Sequence, residues 1–157
     1  MMRFILILCA FAMAAAGAVR LTGETRYLLR GSDAVGEILS ASGREEVVFV
    51  FQPEDCLSNG ALLGRWNELH RSGRLGVRGL VAGAGPSTLQ QDLFAKRDLD
   101  LPLGTISVRD AAIVAERLGY TSTPFAVILD RQGRVAGAFP AQQNVPPEML
   151  QAIARGD

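Results

Sequence analysis

The segment Val47–Asn59 reads Val-Val-Phe-Val-Phe-Gln-Pro-Glu-Asp-Cys-Leu-Ser-Asn, and the rest of the chain is arranged on either side of it. Its first five residues, Val47 to Phe51, are all apolar and rich in β-branched and aromatic side chains, which predicts a strand buried on both faces. Turn-forming and acidic residues end this strand, and a helical pattern follows. Cys56 lies at that junction. Because a helix N-terminus carries partial positive charge and unpaired amide groups, both of which favour a thiolate, Cys56 is a candidate nucleophile.

Helical and extended patterns alternate on both sides of this segment. Before it, we expect a short strand at 27–29 and a helix capped by Ser32, with an apolar stripe of Ala34, Val35, Ile38 and Leu39. After it, the helix that carries Cys56 extends to about Arg71, and its stripe consists of Leu62, Leu63, Trp66 and Leu69. A second strand is predicted at Leu75–Val81.

The second half of the chain continues the alternation. Ser87 caps a predicted helix, and 98–106 is a linker with a short extended segment. Ser107 caps another helix, which is expected to bury Val108, Ala111, Ala112, Ala115 and Leu118. The strands Phe125–Leu129 and Val135–Phe139 flank the turn Asp130–Gly133 as a hairpin, and Pro146-Pro147 opens a final helix. Strands that alternate with helices and end in a hairpin predict an α/β sandwich with a mixed sheet.

The order of these elements, the spacing from Phe51 to Cys56 and the later Thr123-Pro124 pair resemble the thioredoxin superfamily. The long middle segment is more similar to the redoxin branch, which includes TlpA/ResA-like thiol–disulfide proteins and the alkyl hydroperoxide reductase and thiol-specific antioxidant group. The resemblance covers roughly Ala34 to Asp157. It implies a three-layer sandwich in which a mixed central sheet is flanked by helices.

The active-site motif of the family is only half present. The family's Cys-x-x-Cys would place a second cysteine at position 59, where this chain has Asn59. The Asn59 amide could donate a hydrogen bond to the Cys56 sulfur, or Asn59 could simply be a polar residue in an exposed first turn. In both cases an intramolecular dithiol cycle is excluded, so an outside thiol must resolve any mixed disulfide on Cys56.

Thr123 and Pro124 carry the other half of the resemblance. In the superfamily, the proline before this strand is cis and lies against the active-site cysteine, and the preceding residue pairs with an extended substrate. The resemblance therefore implies that Pro124 faces Cys56 and that Thr123 pairs with a bound peptide or thiol. The alternative is a simple turn, since proline often begins a strand.

The N-terminal segment differs from the rest of the chain. A short basic start is followed by an uncharged stretch that becomes alanine-rich, which is typical of a secretory signal over residues 1 to about 18. The segment is shorter than the ~20 residues of a spanning helix, although an uncleaved membrane anchor is the alternative. Residues 19–157 then form one thioredoxin-like domain in an oxidising, periplasmic or other extracytoplasmic compartment. Cleavage removes Cys9 and leaves Cys56 as the single cysteine, without an intramolecular disulfide.

Charge and residue counts exclude several classes of function. The formal net charge is zero, so nothing indicates a nucleic-acid surface. His70, the single histidine, lies about four helical turns from Cys56, roughly 20 Å, which is too far for a Cys–His pair. One cysteine and one histidine do not form a metal site, and no cofactor is expected.

Three hypotheses follow. The first is an exported monothiol oxidoreductase that exchanges disulfides with protein or low-molecular-weight thiols through Cys56. The second is a redox-inactive binding or accessory module, which is favoured by Asn59 and by the negative charges of Glu54 and Asp55 beside the thiol. The third is a one-cysteine peroxidase. Peroxiredoxins have a motif similar to Pro-x-x-x-Thr-x-x-Cys before their cysteine. This chain has Phe49 at the proline position of that motif and Pro53 at the threonine position.

Overall fold

The computed structural model describes residues 32–58, 60–83 and 98–157. Several predictions fall outside these residues: the signal at 1–18, the short strand at 27–29, the side chain of Asn59 and the helix capped by Ser87. The described helices are α1 (Ser32–Ile38), α2 (Pro53–Ser58), α3 (Gly60–Arg71), α4 (Val108–Arg117) and α5 (Pro147–Arg155). The described strands are β1 (Glu46–Phe51), β2 (Gly76–Ala82), β3 (Leu103–Ile106), β4 (Phe125–Leu129) and β5 (Val135–Pro140).

The five strands form one mixed sheet in the order β3-β2-β1-β4-β5. β1 runs parallel to β2, and β2 runs parallel to β3. β4 is antiparallel to β1, and β5 returns antiparallel to β4 as the predicted hairpin. β1 therefore lies at the centre, and all six of its residues are buried. The predicted central strand, buried on both faces, is confirmed.

The alternation of side chains along β1 divides the core into two halves. Val47, Phe49 and Phe51 pack against α3 and α5, and the Phe49 ring stacks on Phe51 at 4.6 Å and on Trp66 at 5.5 Å between centroids. Val48 and Val50 pack on the other face against α1 and α4. The predicted three-layer sandwich is confirmed, because each sheet face is apolar and each is covered by helices.

The start of α4 is set by its cap. The Ser107 hydroxyl accepts a hydrogen bond from the Asp110 amide at 3.0 Å, as the sequence predicts. The buried stripe then runs through Ala111, Val114, Ala115 and Leu118. The prediction that Val108 and Ala112 are buried is wrong: Val108 is 60% exposed in the first turn, and Ala112 is turned away from the stripe.

Two polar side chains are buried among the described residues, and each ties elements together. Glu46, 1% exposed, accepts from the Arg78 guanidinium at 3.0 Å and from the Ser42 amide at 3.0 Å, which joins β1 to β2 and to the segment between α1 and β1. Asn67 on α3 accepts from the amides of Asp100 and Leu101 at 2.8 and 3.0 Å, which holds the segment before β3. Within the described ranges, no helix has the length and apolar character needed to cross a membrane.

Candidate active site

The helix that carries Cys56 begins three residues before it, earlier than predicted. Pro53 occupies the first helical position, where its missing amide hydrogen costs nothing. The Gln52 amide donates to the Asp55 carboxylate at 2.8 Å, and the Asp55 amide donates to the Gln52 carbonyl at 3.0 Å. This local hydrogen bonding resembles half of a capping box, and it starts α2 at Pro53. Cys56 is therefore the fourth residue of α2 and not its first.

The Thr123-Pro124 pair lies at the end of the sheet from which the chain enters α2. The register pairs Val50 with Phe125, so one further step along the two strands brings Pro124 opposite Phe51. The Thr123–Pro124 peptide bond is cis. The Pro124 carbonyl accepts a hydrogen bond from the Ala141 amide at 3.2 Å, which ties this turn to the end of β5.

Tyr120 anchors the other end of the turn that carries Thr123. Its amide donates to the Ala115 carbonyl at the end of α4 at 2.8 Å. Its ring lies parallel to that of Phe125, with centroids 5.4 Å apart and an interplanar angle of 1°. Burial raises the pKa of Tyr120 to about 12, so its hydroxyl is neutral at physiological pH. The turn is thus held between a helix end and the first residue of β4.

Of the predicted site residues, Cys56 and the Thr123-Pro124 pair belong to elements that meet at one end of the sheet. Cys56 follows the end of β1 by five residues, and Pro124 directly precedes β4. The predicted contact between the Cys56 sulfur and Pro124 stays a prediction, as does the hydrogen bond from Asn59. His70 lies in the last turn of α3, far along the helix from α2. The residues that the structure describes contain no group of side chains that could hold a metal ion.

Arg65 is a residue of this region that the sequence did not indicate. Its guanidinium donates to the carbonyl oxygens of Ala141 and Gln142, the latter at 3.2 Å, and it lies 5.4 Å from the centroid of the Trp66 ring. Burial lowers the pKa of Arg65 from its ordinary value. In the sequence, Arg65 is only a polar residue between apolar members of the α3 stripe, and its partners lie 76 and 77 positions away.

Solved structures with a similar backbone are found, although no protein-family model and no curated protein matches the chain. The N-terminal domain of PilB from Neisseria gonorrhoeae has a TM-score of 0.51 and 14% identity, over 73% of this chain and 78% of that chain. A DsbF homologue from Corynebacterium diphtheriae has a TM-score of 0.48 and 20% identity, over 74% of both chains. A secreted thiol-disulfide isomerase from Corynebacterium glutamicum has a TM-score of 0.46 and 22% identity, over 71% of this chain and 69% of that chain.

The similarity to the PilB domain and the observed strand order both describe the fold of the chain. The sequence predicts a mixed central sheet between two helical layers, and the structure adds that β1 is parallel to β2 on one side and antiparallel to β4 on the other. The chain therefore has a thioredoxin-like α/β fold.

Proposed function

We propose that the protein is a monothiol thiol–disulfide oxidoreductase that acts through Cys56. The observation that carries the proposal is the strand register that pairs Val50 with Phe125. Because of this register, the end of β1 that leads into α2 and the Thr123-Pro124 turn lie side by side. A nucleophile on α2 and a turn that pairs with an extended substrate would then serve the same bound disulfide.

The proposed reaction has two exchange steps. The Cys56 thiolate attacks one sulfur of a substrate disulfide, so that a mixed disulfide forms on Cys56 and the other substrate sulfur leaves as a thiolate, which takes up a proton. A thiolate from outside the chain, from a protein or a low-molecular-weight thiol, then attacks the substrate sulfur of the mixed disulfide. The bond from that sulfur to Cys56 breaks, the Cys56 thiolate is released, and a disulfide between the outside thiol and the substrate forms. The outside thiol is required because Asn59 replaces the resolving cysteine.

The binding-module alternative differs from this proposal in the state of the thiol. The N-terminus of α2 favours a thiolate, but Cys56 is the fourth of its six residues, where this effect is weaker, and Glu54 and Asp55 in the first turn oppose the thiolate. A redox-inactive module would use the Thr123-Pro124 turn to hold a partner without exchange. The pKa of Cys56 therefore separates the two functions.

The one-cysteine peroxidase has less support. Phe49 is buried in the middle of β1, stacked between Phe51 and Trp66, and Pro53 begins α2. Neither position supplies the proline and hydroxyl pattern that peroxiredoxins place before their cysteine. Turnover of peroxide with an external thiol would restore this alternative.

The test is carried out on a Cys9→Ser chain, in which Cys56 is the single cysteine. We expect alkylation of Cys56 to follow a pKa well below the ordinary value of about 8.5. Exchange with a model disulfide should be abolished by Cys56→Ser, while urea unfolding shows that the fold is retained. An ordinary or raised thiol pKa, with no exchange by the Cys9→Ser chain, would refute the oxidoreductase and favour the binding module.

We also propose that the protein is exported, on the basis of the basic start and apolar stretch of residues 1–18. Its partners would then be thiols and disulfides of an oxidising compartment, where a lone thiol is used, blocked or oxidised. Trapping of mixed disulfides on Cys56 in cells would identify them.

A further inference from the structure

We infer that Arg65 is a positioning residue that holds the Thr123-Pro124 turn in place relative to the helices beside it. The inference rests on the proposed function, because that function assigns the turn to substrate binding. The connection is a short series of hydrogen bonds. The Arg65 guanidinium donates to the Ala141 carbonyl, and the Ala141 amide donates to the Pro124 carbonyl at 3.2 Å.

One end of this connection lies in the proposed site, and the other lies on a helix that contacts it. Arg65 lies on α3, which contacts α2, the helix that contains Cys56. Pro124 directly follows Thr123 at the start of β4. Ala141, between them, is fully buried and belongs to the core on the α3 side of the sheet. A shift of the Pro124 carbonyl therefore requires a shift of Ala141, which the guanidinium opposes.

The geometry of Arg65 suits a fixed contact. Its planar fork binds the carbonyls of two successive residues, Ala141 and Gln142, and lies over the Trp66 ring, on a residue that is half-buried. A guanidinium presents rigid, pre-oriented donors, so such a double contact constrains the backbone more than a single flexible donor does. Removal of the guanidinium would leave the buried Ala141 carbonyl without that donor.

The consequence depends on the size of the substrate. An extended peptide disulfide would lie along the backbone of Thr123 and would therefore sense the position of the turn. A small aromatic disulfide needs access only to the thiol. Arg65 should consequently affect exchange with a peptide disulfide and leave exchange with a small disulfide nearly unchanged.

The experiment compares three variants of the full-length Cys9→Ser chain. Arg65→Met keeps the apolar stem and removes the donors, Arg65→Lys keeps the charge and one flexible donor group, and Arg74→Met is the matched control. Arg74 is an exposed arginine in an ion pair with Glu148 at 2.8 Å. Second-order rate constants are measured with a disulfide-linked peptide and with dithiobis(nitrobenzoic acid). Hydrogen exchange of the Ala141 amide is measured in parallel.

For Arg65→Met we expect the rate constant with the peptide disulfide to fall about ten-fold and the hydrogen-exchange rate of the Ala141 amide to rise about ten-fold. Both changes correspond to the loss of about one hydrogen bond from a charged donor. The small-disulfide rate should stay within about two-fold of the parent. Arg65→Lys should fall between the parent and Arg65→Met, and Arg74→Met should match the parent.

If the Ala141 amide hydrogen exchanges as slowly in Arg65→Met as in the parent, the inference is wrong, whether or not Cys56 reacts with disulfides. Equal losses with both disulfides also overturn it, because they show an effect on the thiol or on the fold and not on the turn. A parent chain that exchanges neither disulfide refutes the proposed function alone, and the Ala141 measurement still decides whether Arg65 holds the turn.

Discussion

At the scale of single residues, position 59 decides which redox cycle is open to the proposed oxidoreductase. A thioredoxin-type dithiol closes a disulfide within one helical turn, and Asn59 removes that option. We predict that Asn59→Cys, on the Cys9→Ser background, forms a reversible intramolecular disulfide with Cys56 and accelerates exchange. Mass spectrometry with thiol labelling across a redox series measures the bond, and an insulin-reduction assay measures the turnover.

The matched control for this prediction is Ser58→Cys, which adds a thiol at a neighbouring position but does not reproduce the three-residue spacing. We expect less intramolecular oxidation in this variant than in Asn59→Cys. If Asn59→Cys stays reduced even in an oxidising buffer, positions 56 and 59 do not form the equivalent of a Cys-x-x-Cys pair. The assignment of the active site would then be wrong.

At the scale of elements, the β4–β5 hairpin depends on the carboxylate of Asp130. It accepts hydrogen bonds from the amides of Gln132 and Arg134, both at 2.9 Å, and from the Arg134 guanidinium at 2.9 Å. Burial alone would raise the pKa of Asp130, but the hydrogen bonds from Arg134 and Gln132 together hold it below the ordinary value. The carboxylate is therefore more stable charged in the folded chain than in the unfolded chain.

We predict that Asp130→Asn lowers the free energy of unfolding at pH 7 by about 1 kcal/mol. Because the pKa of Asp130 is lowered in the folded state, its contribution is complete above the ordinary pKa and is lost as the pH falls through the folded value. The difference between parent and variant should thus shrink in acid. Urea unfolding over this pH range measures it.

Glu148→Gln is the control for the hairpin prediction, since Glu148 forms an exposed ion pair with Arg74. Its effect should stay within about 0.5 kcal/mol, as is usual for exposed pairs. A difference between the parent and Asp130→Asn that is independent of pH would show that the charge of Asp130 does not stabilise the turn.

At the scale of the whole molecule, α1 and the hairpin turn are packed so closely that only glycine fits between them. A β-carbon on Gly36 would lie 1.9 Å from the Gly133 carbonyl oxygen. Around Gly64, within α3, no atom of the described residues outside the helix's own backbone lies within 4 Å of such a β-carbon. Both glycines lie inside helices, where alanine has the higher intrinsic propensity by about 1 kcal/mol. Alanine substitutions at Gly36 and Gly64 therefore distinguish the effect of close packing from the effect of helix propensity on stability.

We predict that Gly36→Ala lowers the free energy of unfolding by about 1–3 kcal/mol, because the backbone of the turn must move to accept the methyl group. Gly64→Ala should raise it by up to about 1 kcal/mol. Chemical denaturation of the two variants beside the parent checks both signs. Equal effects of the two substitutions would contradict the close packing of α1 on the turn.

The sequence by itself determined the fold class and most of the strands and helices that the structure describes, whereas the nucleophile Cys56 stays a prediction. The apolar run Val47–Phe51, the cap at Ser107 and the turn Asp130–Gly133 are local patterns, and local hydrogen bonding and periodicity act over a few residues. The start of α2 at Pro53 is also encoded locally, by Pro53 and Asp55, although the helical pattern of the sequence predicts a later start.

The tertiary structure alone decided which elements meet. The pairing of Val50 with Phe125, the buried Glu46–Arg78 ion pair and the contact of Arg65 with Ala141 join residues 75, 32 and 76 positions apart. No periodicity connects such residues, because their contact depends on strand order and on the packing of helices across the sheet. The side-by-side position of the Thr123-Pro124 turn and the end of β1, on which the proposed function depends, therefore arises only when the sheet is assembled.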